Sequence, residues 1–144
     1  MKHKSWLVVV LCWAVLLTSS GVSFADDNEE VLVLQPDAEG IQRVFIILDS
    51  YEYAPARISV EAGVPIEFQL ENQSFLTPHN FIIDYPAVGL QHNVSVDAGD
   101  SAMIRFLVET PGTYTCYCVN QFLFFPSHRE EGMEGRLEVR PAGH

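Results

Sequence analysis

Past residue 30 the chain is written in short apolar runs cut at regular intervals by turn residues. Ile66-Glu67-Phe68-Gln69-Leu70 alternates strictly, as does Arg136-Leu137-Glu138-Val139-Arg140. A period of two puts successive side chains on opposite faces of a strand, one buried and one wet. On this pattern strands are expected over residues 31–35, 43–49, 57–60, 65–71, 79–84, 91–97, 102–109, 113–118 and 136–140. The breaks between them are Asp37-Ala-Glu-Gly40, Ala62-Gly63, Ala98-Gly99-Asp100 and Pro111-Gly112, all turn chemistry. No segment here sustains a helical period over three turns. The expected fold is therefore all-β, a Greek-key β-sandwich or barrel of about eight strands, with residues 26–144 forming a single domain. Met103, inside an apolar run, is expected in the core, and His92 on the surface or with a satisfied partner.

The first 25 residues follow a different rule. Lys2, His3 and Lys4 are followed by an apolar run from Trp6 to Leu17 and by Ser23-Phe24-Ala25. That is the layout of a signal peptide, and the apolar run falls short of the ~20 residues a spanning helix needs. The expectation is an exported protein, periplasmic or extracellular, with no stable membrane span. Without this leader the chain keeps 6 arginines, no lysine and all 19 acids, a net charge of −13. Such a balance excludes a nucleic-acid partner, which requires a basic face. Beyond the leader, which holds Cys12, two cysteines remain, Cys116 and Cys118, too few for a disulfide scaffold.

Chemistry concentrates in residues 112–139. Cys118 closes a strand, His128 follows in a loop, Met133 precedes the next strand, and His79 opens an earlier one in Thr77-Pro-His-Asn-Phe81. One thiolate, two imidazoles and a thioether form a soft, mixed donor set suited to copper in both oxidation states; Mg²⁺ or Ca²⁺ would require carboxylates. There is no serine–histidine–acid arrangement, paired-carboxylate motif, phosphate loop or zinc spacing in the sequence. Catalysis is not expected.

These residues resemble the cupredoxins, the blue-copper electron carriers related to plastocyanin. The matching pieces are Tyr53-Ala-Pro with Ile58-Ser-Val-Glu-Ala-Gly63, Pro78-His-Asn-Phe81, Pro111-Gly-Thr-Tyr-Thr-Cys-Tyr-Cys118, His128, and Gly132-Met-Glu-Gly135. The resemblance implies one type 1 copper ion held by His79, Cys118, His128 and Met133. It also implies that Asn80 hydrogen-bonds between the ligand-bearing segments. The function implied is one-electron transfer, as a monomer, to a redox protein such as a cytochrome or a copper enzyme.

Two departures bear on that reading. Nine residues separate Cys118 from His128, where small cupredoxins place two to four, so an open copper position would result if His128 folds away. Cys116 stands two residues before the ligand cysteine, where an aromatic residue is common. It reads as a small core residue, as a second thiolate for Cu(I), or as one half of a strained Cys116–Cys118 bridge. The Cu(I) reading gives the alternative function, a periplasmic copper chaperone or resistance protein. Within the long loop, Phe122, Phe124 and Phe125 either cap the sandwich over the metal or form an exposed patch where a redox partner docks, flanked by Glu130, Glu131 and Glu134.

Overall fold

The computed structural model describes residues 30–143; the expected leader and His144 lie outside them. The elements are β1 (Leu32–Val33), β2 (Gln42–Asp49), β3 (Glu52–Ala54), β4 (Arg57–Glu61), β5 (Ile66–Asn72), β6 (His79–Tyr85), β7 (Leu90–Val96), β8 (Ser101–Phe106), β9 (Gly112–Tyr117) and β10 (Glu134–Arg140), with one 3-10 turn at Pro86–Val88. They form a six-stranded sheet in the order β1-β4-β10-β9-β6-β7 and a four-stranded sheet in the order β3-β2-β5-β8. Pairing is parallel for β1 with β4, β4 with β10 and β2 with β5, and antiparallel elsewhere. The expected all-β sandwich is the observed one, with ten strands rather than about eight.

Aromatic rings bridge the two layers. Phe68 of β5 meets Phe81 of β6 edge-to-face at 5.9 Å, and Tyr53 of β3 meets the same Phe81 at 5.6 Å. Ile46, Leu48, Ile66, Leu70, Ile83, Leu90 and Leu137 fill the remaining space and are fully buried. Each such side chain contributes about 1.5–3 kcal/mol relative to remaining exposed.

Three features differ from the reading of the pattern. The first strand shrinks to two residues, and 102–109 ends as a strand at Phe106. Met103 is 53% exposed, not core. It lies on the outward face of edge strand β8 with Ser101 and Arg105, while Ile104 takes the inward position. Glu67, expected on a wet face, is buried, because it sits opposite Arg43 in β2 and Arg105 in β8 and pairs with both.

The topology gathers the chemistry at one end. β6 and β9 are antiparallel neighbours, as are β9 and β10. The start of β6 (His79), the residue after β9 (Cys118) and the residue before β10 (Met133) therefore lie at the same edge of the six-stranded sheet.

Candidate metal centre

Asn72, the last residue of β5, shapes the approach to His79. Its buried side-chain amide donates to the carbonyls of Thr77 and Val96, both at 2.9 Å, while its Oδ1 accepts from the Ser74 N–H at 2.9 Å. The loop is thus fixed before β6 begins. His79 is 1% exposed, and its Nδ1 faces inward.

Asn80 joins this strand to the cysteine. Its N–H donates to Cys118 Sγ at 3.3 Å, its Oδ1 accepts from the Val119 N–H at 2.9 Å, and its carbonyl accepts from the Tyr53 hydroxyl at 2.6 Å. A donor aimed at the sulfur stabilises a thiolate there.

The nine-residue loop brings His128 back to the cysteine. The His128 N–H donates to the Asn120 carbonyl at 2.8 Å, so residues 121–127 bulge out of a closed base. The Met133 N–H donates to the His128 carbonyl at 2.8 Å, and the Cys118 N–H donates to the Met133 carbonyl at 3.1 Å. Asn120 Nδ2 also donates to the Pro78 carbonyl, one residue before His79. Met133 itself is fully buried.

Three donors converge as a result. His79 Nδ1 lies 3.0 Å from His128 Nδ1 and 3.9 Å from Cys118 Sγ, and His128 Nδ1 lies 3.3 Å from that sulfur. These are the separations of donors set about 2.0–2.3 Å from one central ion. All three residues are buried, and they make up a group of candidate metal-holding side chains.

Burial decides their protonation. It lowers the His79 pKa to about 4, helped by His128 and opposed by Asp49, and it lowers that of His128 as well. Both imidazoles are therefore neutral at pH 7, with lone pairs for a metal. Burial raises the Cys118 pKa, against the N–H groups of Asn80 and Asn120, so the metal-free residue is a thiol.

Cys116 is not in this group. Both cysteines are free thiols, so no bridge joins them. Cys116 lies in the core beside Gly135 and Tyr53, where a side chain at Gly135 would collide with its sulfur. Burial pushes its pKa up to about 12.

The aromatic loop does not roof the site. Phe122, Leu123, Phe124 and Phe125 are all exposed, Phe124 to 85%. Phe122, Phe125, Leu76, Pro78 and Pro126 line a groove of about 800 Å³ that also reaches His128. His128 is thus the residue of the donor set that lines this groove.

The profile of the cupredoxin-like domain matches residues 7–127. The chain belongs to the cupredoxin family. A plastocyanin from the fern Dryopteris crassirhizoma is 30% identical over 103 residues, covering 63% of this chain and 90% of that protein. Among solved structures, auracyanin from Roseiflexus castenholzii superposes with a TM-score of 0.56 at 23% identity, covering 69% of this chain and 97% of its own. The metal-binding domain of the Cu(I)-exporting P-type ATPase CopA from Streptococcus pneumoniae gives 0.55 at 19%, covering 78% and 97%. The family match stops one residue before His128, so the far end of this cupredoxin's long loop rests on its own geometry. One copper ion is the cofactor of this cupredoxin, and the buried donor triangle fits it in softness and spacing.

Sequence reasoning missed three residues here. Ser74 hydrogen-bonds His79 Nε2 at 2.8 Å, Asp49 accepts from Ser74, and Tyr51 packs edge-on against His128. Asp49 and Tyr51 come from the opposite sheet, and no local motif marks them. The only sequence signal is the short gap of three residues between 43–49 and the following Tyr53, which is compatible with a tight hairpin.

Proposed function

We infer that this cupredoxin is an exported, monomeric one-electron carrier whose copper would be held by His79, Cys118, His128 and Met133. The observation that carries this reading is the buried triangle of Nδ1, Nδ1 and Sγ, with His128 also lining the apolar groove. Copper supplies a one-electron couple at such a site. The protein's part is to keep the donors in place and dry. His79 and Cys118 are tied through Asn80, while Met133 is tied by its backbone to His128 and Cys118. Donors held by the fold move little between oxidation states, which favours electron exchange over ligand exchange. With Met133 as a fourth donor, no position would be left open for a substrate.

Electrons would pass through the His128 edge to a redox protein, such as a cytochrome or a copper enzyme, seated on Phe122, Phe124 and Phe125. An exposed apolar patch of this kind is a normal mark of a docking site. Glu130 and Glu131 beside it favour a basic rim on the partner.

A Cu(II) titration followed by visible and EPR spectra tests the reading. Expected is an intense thiolate-to-copper band saturating at one copper per chain, abolished in Cys118→Ser and retained in Cys116→Ser. A colourless protein that binds Cu(I) tightly, and loses that affinity in Cys116→Ser, would assign it instead to copper handling through the Cys-x-Cys pair.

A further inference from the structure

From outside the donor set, the turn between β2 and β3 packs Tyr51 against His128, and Asp49 at its base reaches His79 through Ser74 of the β5–β6 loop. Asp49 pairs with Glu52 across it, which leaves Ser50 and Tyr51 as the two turn residues. Both have positive φ, 49° and 64°. Those are the left-handed conformations of a type I′ hairpin, a turn usually built from Asn-Gly, Asp-Gly or Gly-Gly. Side chains bearing Cβ are strained there, and tyrosine more than most. Strain that persists in a fold often accompanies function, and here it accompanies two specific contacts.

The first contact reaches His79. The Ser74 hydroxyl lies 3.1 Å from Asp49 Oδ1 and 2.8 Å from His79 Nε2. A carboxylate only accepts, so the single Ser74 proton goes to Asp49. The Ser74 oxygen then accepts from His79 Nε2–H, which makes Nδ1 the lone-pair nitrogen facing Cys118 and His128. Ser74 is placed by its own N–H on Asn72 rather than by its hydroxyl, so the loop does not depend on this relay for its shape. The second contact reaches His128. The Tyr51 ring stands edge-on to it, with centroids 4.9 Å apart and planes at 76°.

We propose that the strained β2–β3 turn is a clamp that presets both imidazoles for the metal, Asp49 and Ser74 by fixing the tautomer of His79 and Tyr51 by fixing the tilt of the His128 ring. Asp49, Ser74 and Tyr51 are positioning residues. The proposal rests on the reading of His79 and His128 as copper ligands. Partners that orient a ligating histidine are worth tens of fold in metal affinity.

The test uses four variants and three readouts: ring tautomer, metal affinity and melting temperature. In metal-free protein, ¹⁵N NMR of the His79 ring should show the Nε2–H tautomer in the native chain and in Ser74→Thr, and a mixture in Ser74→Ala. Titration with Cu(II), and with Zn(II) as a redox-silent probe, should show affinity about tenfold lower in Ser74→Ala and in Tyr51→Asn. Asparagine tolerates the left-handed region, so Tyr51→Asn should keep the melting temperature of the metal-free protein. Ser50→Gly relieves strain without touching either ring; it should leave affinity unchanged and the melting temperature equal or higher. The clamp is overturned if Ser74→Ala keeps the native tautomer, or if affinity is lost only in step with melting temperature. Failure of the native chain to take up copper would strike the ligand assignment, and the tautomer of the metal-free protein would still decide for or against the clamp.

Discussion

Cys118 and the two histidines stand on opposite sides of neutral pH. Burial lifts the thiol above its ordinary value of 9.0 and takes His128 below 6.5 and His79 to about 4. A metal ion needs the thiolate and both lone pairs, so binding is linked to proton release. At pH 7 only the thiol has a proton to give, and copper uptake should release about one proton per ion. Calorimetric titration in buffers of different ionisation heat measures this: release near zero would mean a preformed thiolate, and release near two or three would mean protonated imidazoles. At Gly135 the limit is space. A Cβ there would lie 2.8 Å from Cys116 Sγ and 2.9 Å from the Ala56 carbonyl oxygen. The sulfur could shift, but the backbone oxygen cannot. Gly135→Ala should therefore cost about 1–3 kcal/mol, the usual range for overpacking, read as a lower denaturant midpoint. Because Cys116 is not one of the grouped donors, the copper band should keep its position.

Among the elements, the four-stranded sheet carries a row of charges across its outer face. Arg43 of β2, Glu67 of β5 and Arg105 of β8 stand side by side in register, with Arg105 Nε 2.5 Å and Arg43 Nε 3.2 Å from the Glu67 carboxylate. The Arg105 hydrogen bond, with the charges of both arginines, lowers the Glu67 pKa from 4.5 against the opposing effect of burial. A carboxyl depressed in the folded state stabilises the fold above its unfolded pKa, and that contribution disappears as pH falls through the folded value. Glu67→Gln should thus melt below the native protein at pH 7, and the gap should close in acid beneath the folded pKa. A gap of equal size at pH 2 would assign the loss to packing. This strand also shows what the alternating pattern could and could not convey. Apolar residues at every second position located β5 and its inward face, but the burial of Glu67 depends on neighbours brought up by two other strands. β3 has no mark in the sequence because three residues between a strained turn and Pro55 hold no period, and the apolar run around Met103 does not predict its exposure because an edge strand's outer face can carry an apolar residue at little cost. The donors themselves were legible, since their residue types and order carry the chemistry. Whether the long loop returned His128 was not, because its closure runs through the backbone carbonyl of Asn120, which any residue type would supply.

Over the whole molecule the formal charge is −11, and Glu130 and Glu131 lie next to the apolar patch. Long-range attraction should speed encounters with a basic redox protein, and salt should cancel it as the Debye length contracts from about 10 Å at 0.1 M to about 3 Å at 1 M. Stopped-flow electron exchange with a basic c-type cytochrome should accordingly slow as salt is added and level off at a rate set by apolar contact. A rate that rises with salt would mean that the acids repel the partner rather than guide it. The closed base of the 121–127 bulge has a consequence for how such partners could be exchanged in evolution. Both ends of the bulge are knotted to each other and to the strands by main-chain bonds, so its tip is mechanically insulated from the metal. On the docking reading proposed above, insertions, deletions or wholesale replacement of that tip would change which protein is recognised while leaving the redox couple untouched. Docking specificity and electron affinity can then drift as separate traits in one short stretch of chain.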